Sequence, residues 1–152
     1  MILAIDADET LFDNRGREYG DVTTPIRLMP GARHALRCLK KAGHVIVVVS
    51  ARANLALRKD PQLDPLVRAG KRSGARWSLE VNEARYRQMV DYCAMELDGL
   101  VDAVDDGGCG KYSADLFIDD KGLRYGYGQL ALGWMEIARI YGEPVAESEG
   151  ED

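Results

Sequence analysis

Two aliphatic runs with one helix-length amphipathic segment between them constrain this chain most. Residues 2–5 and 45–49 are aliphatic throughout, as expected of strands buried on both faces of a parallel sheet. Between them, Pro30-Gly31 opens a helix with Ala32, Ala35, Leu36 and Leu39 on one face and Arg33, Arg37, Lys40 and Lys41 on the other. Gly43 stands where a left-handed C-cap ends such a helix. Together these segments make one βαβ unit.

The pattern continues. A helix is predicted over 82–97, with Asn82 as its N-cap and Tyr86, Met89, Val90, Cys93 and Leu97 on its buried face. Strands follow at 100–104 and 115–118. A last helix spans 129–141, with Leu130, Trp134, Ile137, Ala138 and Tyr141 along one side. The expected architecture is an α/β, Rossmann-like three-layer sandwich, with a central parallel sheet and helices on both faces. At 152 residues the chain is long enough to bury a core without staples and reads as a single domain over 1–142. Residues 53–78, with two prolines and scattered apolar positions, read as an insertion. From Arg52 to Arg76 it carries seven bases against two acids.

Composition narrows the function classes. The net charge is −5, but residues 143–152 hold five acids and no base, leaving 20 acidic against 20 basic residues in the body. The tail reads as disordered and solvating. A near-neutral body has no global basic field to announce nucleic-acid binding. No apolar run approaches the roughly 18 to 20 residues that cross a bilayer, and Asp6 interrupts the N-terminal stretch before it resembles a signal peptide. The reading is therefore a cytoplasmic protein with no membrane partner. Cys38, Cys93 and Cys109 are odd in number and widely spaced, which fits reduced thiols. His34 and His44 lie near no other ligand type and read as structural.

The first strand ends in two carboxylates, Asp6 and Asp8, and burying an unpaired carboxylate is costly unless it is paired or holds a metal. Three later features share that placement at a strand's carboxyl end: Ser50 after 45–49, Lys111 in a glycine-rich loop, and Asp119-Asp120 after Leu116-Phe117-Ile118. In an open parallel sheet, ligands bind at the carboxyl ends of the strands, near the point where strand order reverses. One site can collect all of these groups. Acids suit Mg²⁺, a hard cation that takes oxygen ligands, while a lysine and a hydroxyl suit phosphate oxygens. Such parts match phosphoryl transfer. The Gly108-Cys109-Gly110-Lys111 stretch lacks the Ser or Thr after lysine that a nucleotide phosphate loop needs.

These residues resemble the haloacid dehalogenase-like superfamily. Asp6-Ala7-Asp8-Glu9-Thr10 is similar to its first motif, DxDxT, and Ser50, Lys111 and Asp119-Asp120 to its second, third and fourth, in order. The likeness spans 1–142 apart from 53–78. Met29-Pro30-Gly31, Ser50-Ala51-Arg52, residues 114–120 and Trp134-x-x-Ile137 are most similar to the small capless hydrolases of bacteria and phages. The resemblance implies Asp6 as the nucleophile that forms an aspartyl-phosphate and Asp8 as general acid and then base. It implies Mg²⁺ held by Asp6, the backbone carbonyl of Asp8, Asp119 and Asp120. It also implies Ser50 and Lys111 on the phosphoryl oxygens and Thr10 as a brace of the loop. Glu9 stands where the family commonly has Gly. Arg52 has two even readings, contact with substrate phosphate or pairing with an acid.

The expected function is a Mg²⁺-dependent phosphatase acting on a phosphate monoester. Only residues 12–29 and 105–114 are available for a cap, too few for a domain. The site is then open, or closed by a neighbouring subunit of a homo-oligomer. Either arrangement favours a bulky substrate, a nucleic-acid end or a phosphoprotein, over a small sugar phosphate or nucleotide. Nucleic acid enters only as substrate. The basic insertion either guides anions or is a solvated surface. Two other classes compete. One is a non-catalytic Mg²⁺- and phosphate-binding module working through protein partners. The other is a phospho-receiver domain, with Asp105 on the third strand as the phosphorylated residue.

Overall fold

The computed structural model describes residues 1–110, 113–119 and 133–146. Four strands, β1 (Ile2–Asp6), β2 (Val45–Val49), β3 (Ala103–Val104) and β4 (Leu116–Ile118), form one sheet in the order β3-β2-β1-β4, with every pair parallel. Among the described residues five α-helices accompany them: α1 (Ala32–Lys41), α2 (Leu55–Arg58), α3 (Pro65–Arg68), α4 (Leu79–Glu96) and α5 (Trp134–Tyr141). The chain steps from β1 to β2 to β3 in one direction, then returns to place β4 on the other side of β1. Strand order therefore reverses between β1 and β4, which puts the crevice of an open α/β sheet there. None of the described helices is long and apolar enough to cross a membrane.

The register sorts side chains by face. Leu3 and Ile5 of β1, Ile46 and Val48 of β2 and Ile118 of β4 share one face and join a single core with Ala35, Leu36 and Leu39 of α1, Met89 and Cys93 of α4, and Trp134 and Ile137 of α5. The opposite face carries Ala4 and Val47, both buried, together with Ile2, Val45 and Phe117, between 39% and 44% exposed. The molecule is thus mixed α/β, a parallel sheet with helices, and among the described residues the helices pack on the Leu3 face. A third layer needs a helix in a connection flanking β4. The link from Val104 to Leu116 is too short for a helix and its two loops, and 120–132 falls outside the described residues.

Other expectations shift at their edges. Helix α1 forms as predicted and ends at Gly43, which has φ 85. Helix α4 starts before Asn82, because Ser78 caps it by accepting from the Val81 amide at 3.1 Å. Asn82 instead lies inside the helix, 3% exposed. The third strand is shorter than predicted, as is the fourth, and only Trp134–Tyr141 of the last helix lies within the described residues. The insertion is organised by its own short polar side chains. Asn54, Asp60 and Asp64 each accept a backbone amide two residues on, starting α2, a 3₁₀ turn at Pro61–Leu63 and α3. The acidic tail begins later than expected: the Glu143 amide reaches the Cys38 carbonyl at 2.9 Å, Lys41 reaches the Pro144 carbonyl at 2.6 Å, and Val145 packs against the core. Residues 147–152 lie outside the described part.

Cys38 and Cys93 are buried free thiols. Burial pushes Cys93 up to about 12, so it is inert as a nucleophile. His44 is structural, as expected: it bridges the N-terminal amine, 3.2 Å from Nδ1, and the Tyr141 carbonyl, 2.6 Å from Nε2. The close approach of α5 to α1 rests on a missing side chain. A Cβ on Gly142 would lie 2.6 Å from the Ala138 carbonyl oxygen and 2.6 Å from Cys38 Cβ. Gly142→Ala is expected to lose about 1–3 kcal/mol by this overpacking, read as a lower urea midpoint with an unchanged m-value.

Candidate active site

Asp6 is the last residue of β1 and pairs in register with Val49, so Ser50 follows at the adjacent strand's end. On the other side Ile5 pairs with Ile118, and one step further on each strand comes Asp6 and then Asp119. Neighbouring strands lie roughly 4.8 Å apart. Asp6, Ser50 and Asp119 therefore converge at the carboxyl ends of three adjacent strands, at the point where strand order reverses. Lys111 and Asp120 lie outside the described residues.

A tight turn carries the chain past Asp6. The Ala7 carbonyl accepts from the amides of Leu11 (2.9 Å) and Phe12 (2.8 Å), and the Glu9 amide donates to the Phe12 carbonyl at 3.0 Å. Thr10 Oγ1 donates to the Asp6 side chain, Oδ2, at 3.4 Å. Its carbonyl accepts from Trp134 Nε1 at 2.8 Å, which fastens the turn to the first residue of α5. Glu9 sits at φ 64, the only non-glycine residue among those described with positive φ. A left-handed conformation costs an L-residue about 1–2 kcal/mol that glycine does not pay.

Asp8 points to a different set of partners. Arg52 grips it from the far end of β2: Nη2 donates to Oδ1 at 2.6 Å and Nε to Oδ2 at 3.0 Å. The Arg52 guanidinium is 2% exposed and the Asp8 side chain 28%. Arg52 Nη1 also donates to the Arg85 carbonyl on α4 at 3.2 Å, and its amide donates to Ser50 Oγ at 3.0 Å. Asn14 Nδ2 donates to Asp8 Oδ1 at 2.7 Å, leaving Asn14 Oδ1 buried without a hydrogen-bond donor. Burial alone would raise the Asp8 carboxyl, but the hydrogen bonds and charge of Arg52, with Asn14, outweigh it and hold Asp8 below its ordinary value. Of the two readings of Arg52, acid pairing is the one the geometry displays, and the acid is Asp8.

A cleft of about 490 Å³ opens beside Ser50, lined also by Asn54, Leu55, Leu63, Asp105 and Gly107. Its wall is held by Arg58, which donates to the carbonyls of Ala53 and Asp106, pairs with Glu83 at 2.8 Å and lies over the Tyr86 ring. Gly107, at φ 80, lets the 105–110 loop touch the Ala53 carbonyl, where a Cβ would come within 2.2 Å. Asp105 turns back on this loop, accepting from the Gly107 amide at 3.0 Å.

Much of the insertion's basic charge is internally committed. Arg52 and Arg58 are buried struts, Arg72 pairs with Asp64, Lys59 with Glu83, and Arg68 donates to the Gln62 carbonyl. Sequence reasoning missed Asn14, whose loop has no periodicity, and the group Tyr19, Asn82 and Arg85, which meets only when 12–29 folds onto α4. Tyr19 Oη donates to Asn82 Oδ1 at 2.6 Å, and Asn82 Nδ2 donates to the carbonyls of Leu57 and Trp77.

Comparison with family models, with curated proteins and with solved structures finds no match. Among the described residues no three His, Cys, Asp or Glu side chains group as a metal site. Asp6 and Asp119 still present hard oxygen donors on adjacent strand ends, and Mg²⁺ is usually held by one or two carboxylates with the remaining positions taken by water and phosphate. That donor set fits the ion. The Asp8 side chain, engaged by Arg52, leaves its backbone carbonyl as the donor the resemblance implies.

Two outcomes follow. Arg52→Ala strands a half-buried carboxylate and is expected to cost about 2–4 kcal/mol at pH 7, measured by urea unfolding. Asp8 has a depressed folded value, so its contribution is present above the unfolded value near 3.8 and fades as pH falls through the folded one; the gap between wild type and variant narrows below pH 4. Glu9→Gly removes backbone strain and is expected to raise the melting temperature by about 2 °C, the added unfolded-state entropy of glycine offsetting part of the gain.

Proposed function

We propose that the protein is a Mg²⁺-dependent phosphatase of the haloacid dehalogenase-like type, acting on a phosphate monoester. The observation that carries this reading is the convergence of Asp6, Ser50 and Asp119 at the strand-order reversal, with Asp8 two residues beyond Asp6 and turned to an arginine. Mg²⁺ bound by Asp6, Asp119 and the Asp8 carbonyl, with Asp120, would neutralise phosphate charge as it develops. Asp6 attacks phosphorus, the P–O bond to the leaving group breaks, and an aspartyl-phosphate forms on its carboxylate. Ser50 donates to a phosphoryl oxygen, and Lys111 supplies a second cationic donor.

Asp8 starts the cycle ionised, in the state a base needs to take a proton from the water that hydrolyses the aspartyl-phosphate. Its acid role comes first and requires that the incoming phosphate dianion compete for Arg52, so that Asp8, released from its cation, takes a proton from solvent, gives it to the leaving oxygen as the P–O bond breaks, and is ionised again for the base step. A receiver domain fits less well, because Asp105 follows the edge strand β3, with β2 between it and Asp6, and is folded back on its own loop.

Asp6→Asn is expected to abolish hydrolysis of an aryl phosphate, at least 10³-fold in kcat, without loss of folding. Wild-type turnover is expected to vanish with chelator and return with Mg²⁺. Turnover that survives in Asp6→Asn would sink the covalent mechanism, and labelling of Asp105 by acetyl phosphate would favour the receiver.

A further inference from the structure

Outward from Asp8 runs a ladder of cations and rings that the phosphatase reading leaves unused. Arg52 bridges Asp8 and the Arg85 carbonyl. The Arg85 guanidinium lies 3.6 Å over the Tyr19 ring, Tyr19 stacks on Trp77 with centroids 5.3 Å apart and planes 14° from parallel, and the Arg76 guanidinium is 5.9 Å from the Trp77 centroid. Tyr19 and Trp77 are 38% and 39% exposed. Their backing is rigid: buried Asn82 accepts from the Tyr19 hydroxyl and donates to the Trp77 carbonyl, so one side chain fixes both members of the stack.

Charge around the ladder is unbalanced. Among the described residues Arg85 has no carboxylate within salt-bridge distance. Arg17 is anchored by the carbonyls of Asp21, Thr24 and Pro25 rather than by a carboxylate. Burial, together with the Arg52 charge, lowers the pKa of both Arg85 and Arg17, and both also feel Asp8. Arg52 and Arg85 therefore share Asp8, which Arg52 already neutralises, while Arg17 feels Asp21 ahead of Asp8. The stack is more than a third exposed and the outer face of Trp77 carries only the solvent-exposed Arg76, which a planar base can displace, so the surface is suited to a ligand with both planar π-faces and more than one phosphate.

Resting on the phosphatase reading, we infer that the Arg85–Tyr19–Trp77–Arg76 ladder is a stacking platform that makes the substrate the phosphorylated end of a single-stranded nucleic acid. The terminal phosphate enters at Asp6 and Ser50, a base beyond it stacks on Trp77, and Arg85, Arg17 and Arg76 face the internucleotide phosphates. A sugar phosphate has no ring to stack, and a phosphopeptide lacks the repeated phosphates.

The test compares wild type, Trp77→Ala and Trp77→Phe on an aryl phosphate and on oligothymidylates phosphorylated at the 5′ or the 3′ end. It adds binding of the same oligonucleotides to Asp6→Asn, followed by tryptophan fluorescence. Base–aromatic stacking of roughly 1–3 kcal/mol predicts that Trp77→Ala lowers the ratio of oligonucleotide to aryl-phosphate kcat/KM by about tenfold or more. Trp77→Phe is expected to restore most of that ratio. Oligonucleotide is expected to quench Asp6→Asn fluorescence, and to bind the Asp6→Asn/Trp77→Ala variant at least fivefold more weakly. An unchanged ratio with both substrates turned over would overturn the platform and leave the phosphatase standing. No turnover of either substrate, with quenching retained and Trp77-dependent, would overturn the phosphatase reading while the platform holds. A phosphopeptide turned over better than the oligonucleotides, with the same loss in Trp77→Ala, would reassign the surface to protein and overturn the inference.

Discussion

The Asp8–Arg52 pair is the joint on which the site depends. Arg52 leaves the end of β2 and contacts the turn after β1 and the backbone of α4 at once, so one guanidinium sets the relative positions of three segments. Desolvating such a pair is expensive, and an apolar replacement of the same shape is often as stable. Retaining it buried beside a strand-end acid argues for a use beyond stability. A bidentate arginine fixes both the position and the ionisation of the carboxylate, which lysine would not do as a point charge.

Around that joint, side chains and backbone divide the labour. Thr10 and Trp134 steady the turn from two directions, and Asn54, Asp60 and Asp64 start the short helices of the insertion by local capping. Arg58 then closes the insertion onto α4 and the 105–110 loop. The basic character of this region is thus largely architectural. Its arginines hold carbonyl groups that irregular backbone would otherwise leave unpaired. Among the described residues Arg76 and Arg85 have no carboxylate within salt-bridge distance.

The aliphatic runs at 2–5 and 45–49, the amphipathic face of α1 and the glycine after it were legible because burial on both sides of a strand and one-sided burial of a helix leave opposite periodicities. The same logic placed Asp6, Ser50 and Asp119 at strand ends before any coordinates. The start of α4 was misread because two good capping residues, Ser78 and Asn82, lie one turn apart, and tertiary contacts to Tyr19, Leu57 and Trp77 recruit the second. The partner of Arg52 was open in sequence, since an arginine 44 residues from an acid carries no local mark of contact.

The central position of β1 has a consequence for how the chain comes together. Its neighbours are β2, starting at Val45, and β4, starting at Leu116. As the polypeptide is synthesised from its N-terminus, β1 can pair with β2 along one edge early, while its other edge stays open until Leu116–Ile118 has been made. The acid at its end cannot meet Asp119 before then. A truncated or stalled product would expose an aliphatic strand edge and hold half a site, so completion of synthesis is itself a safeguard against partial chemistry.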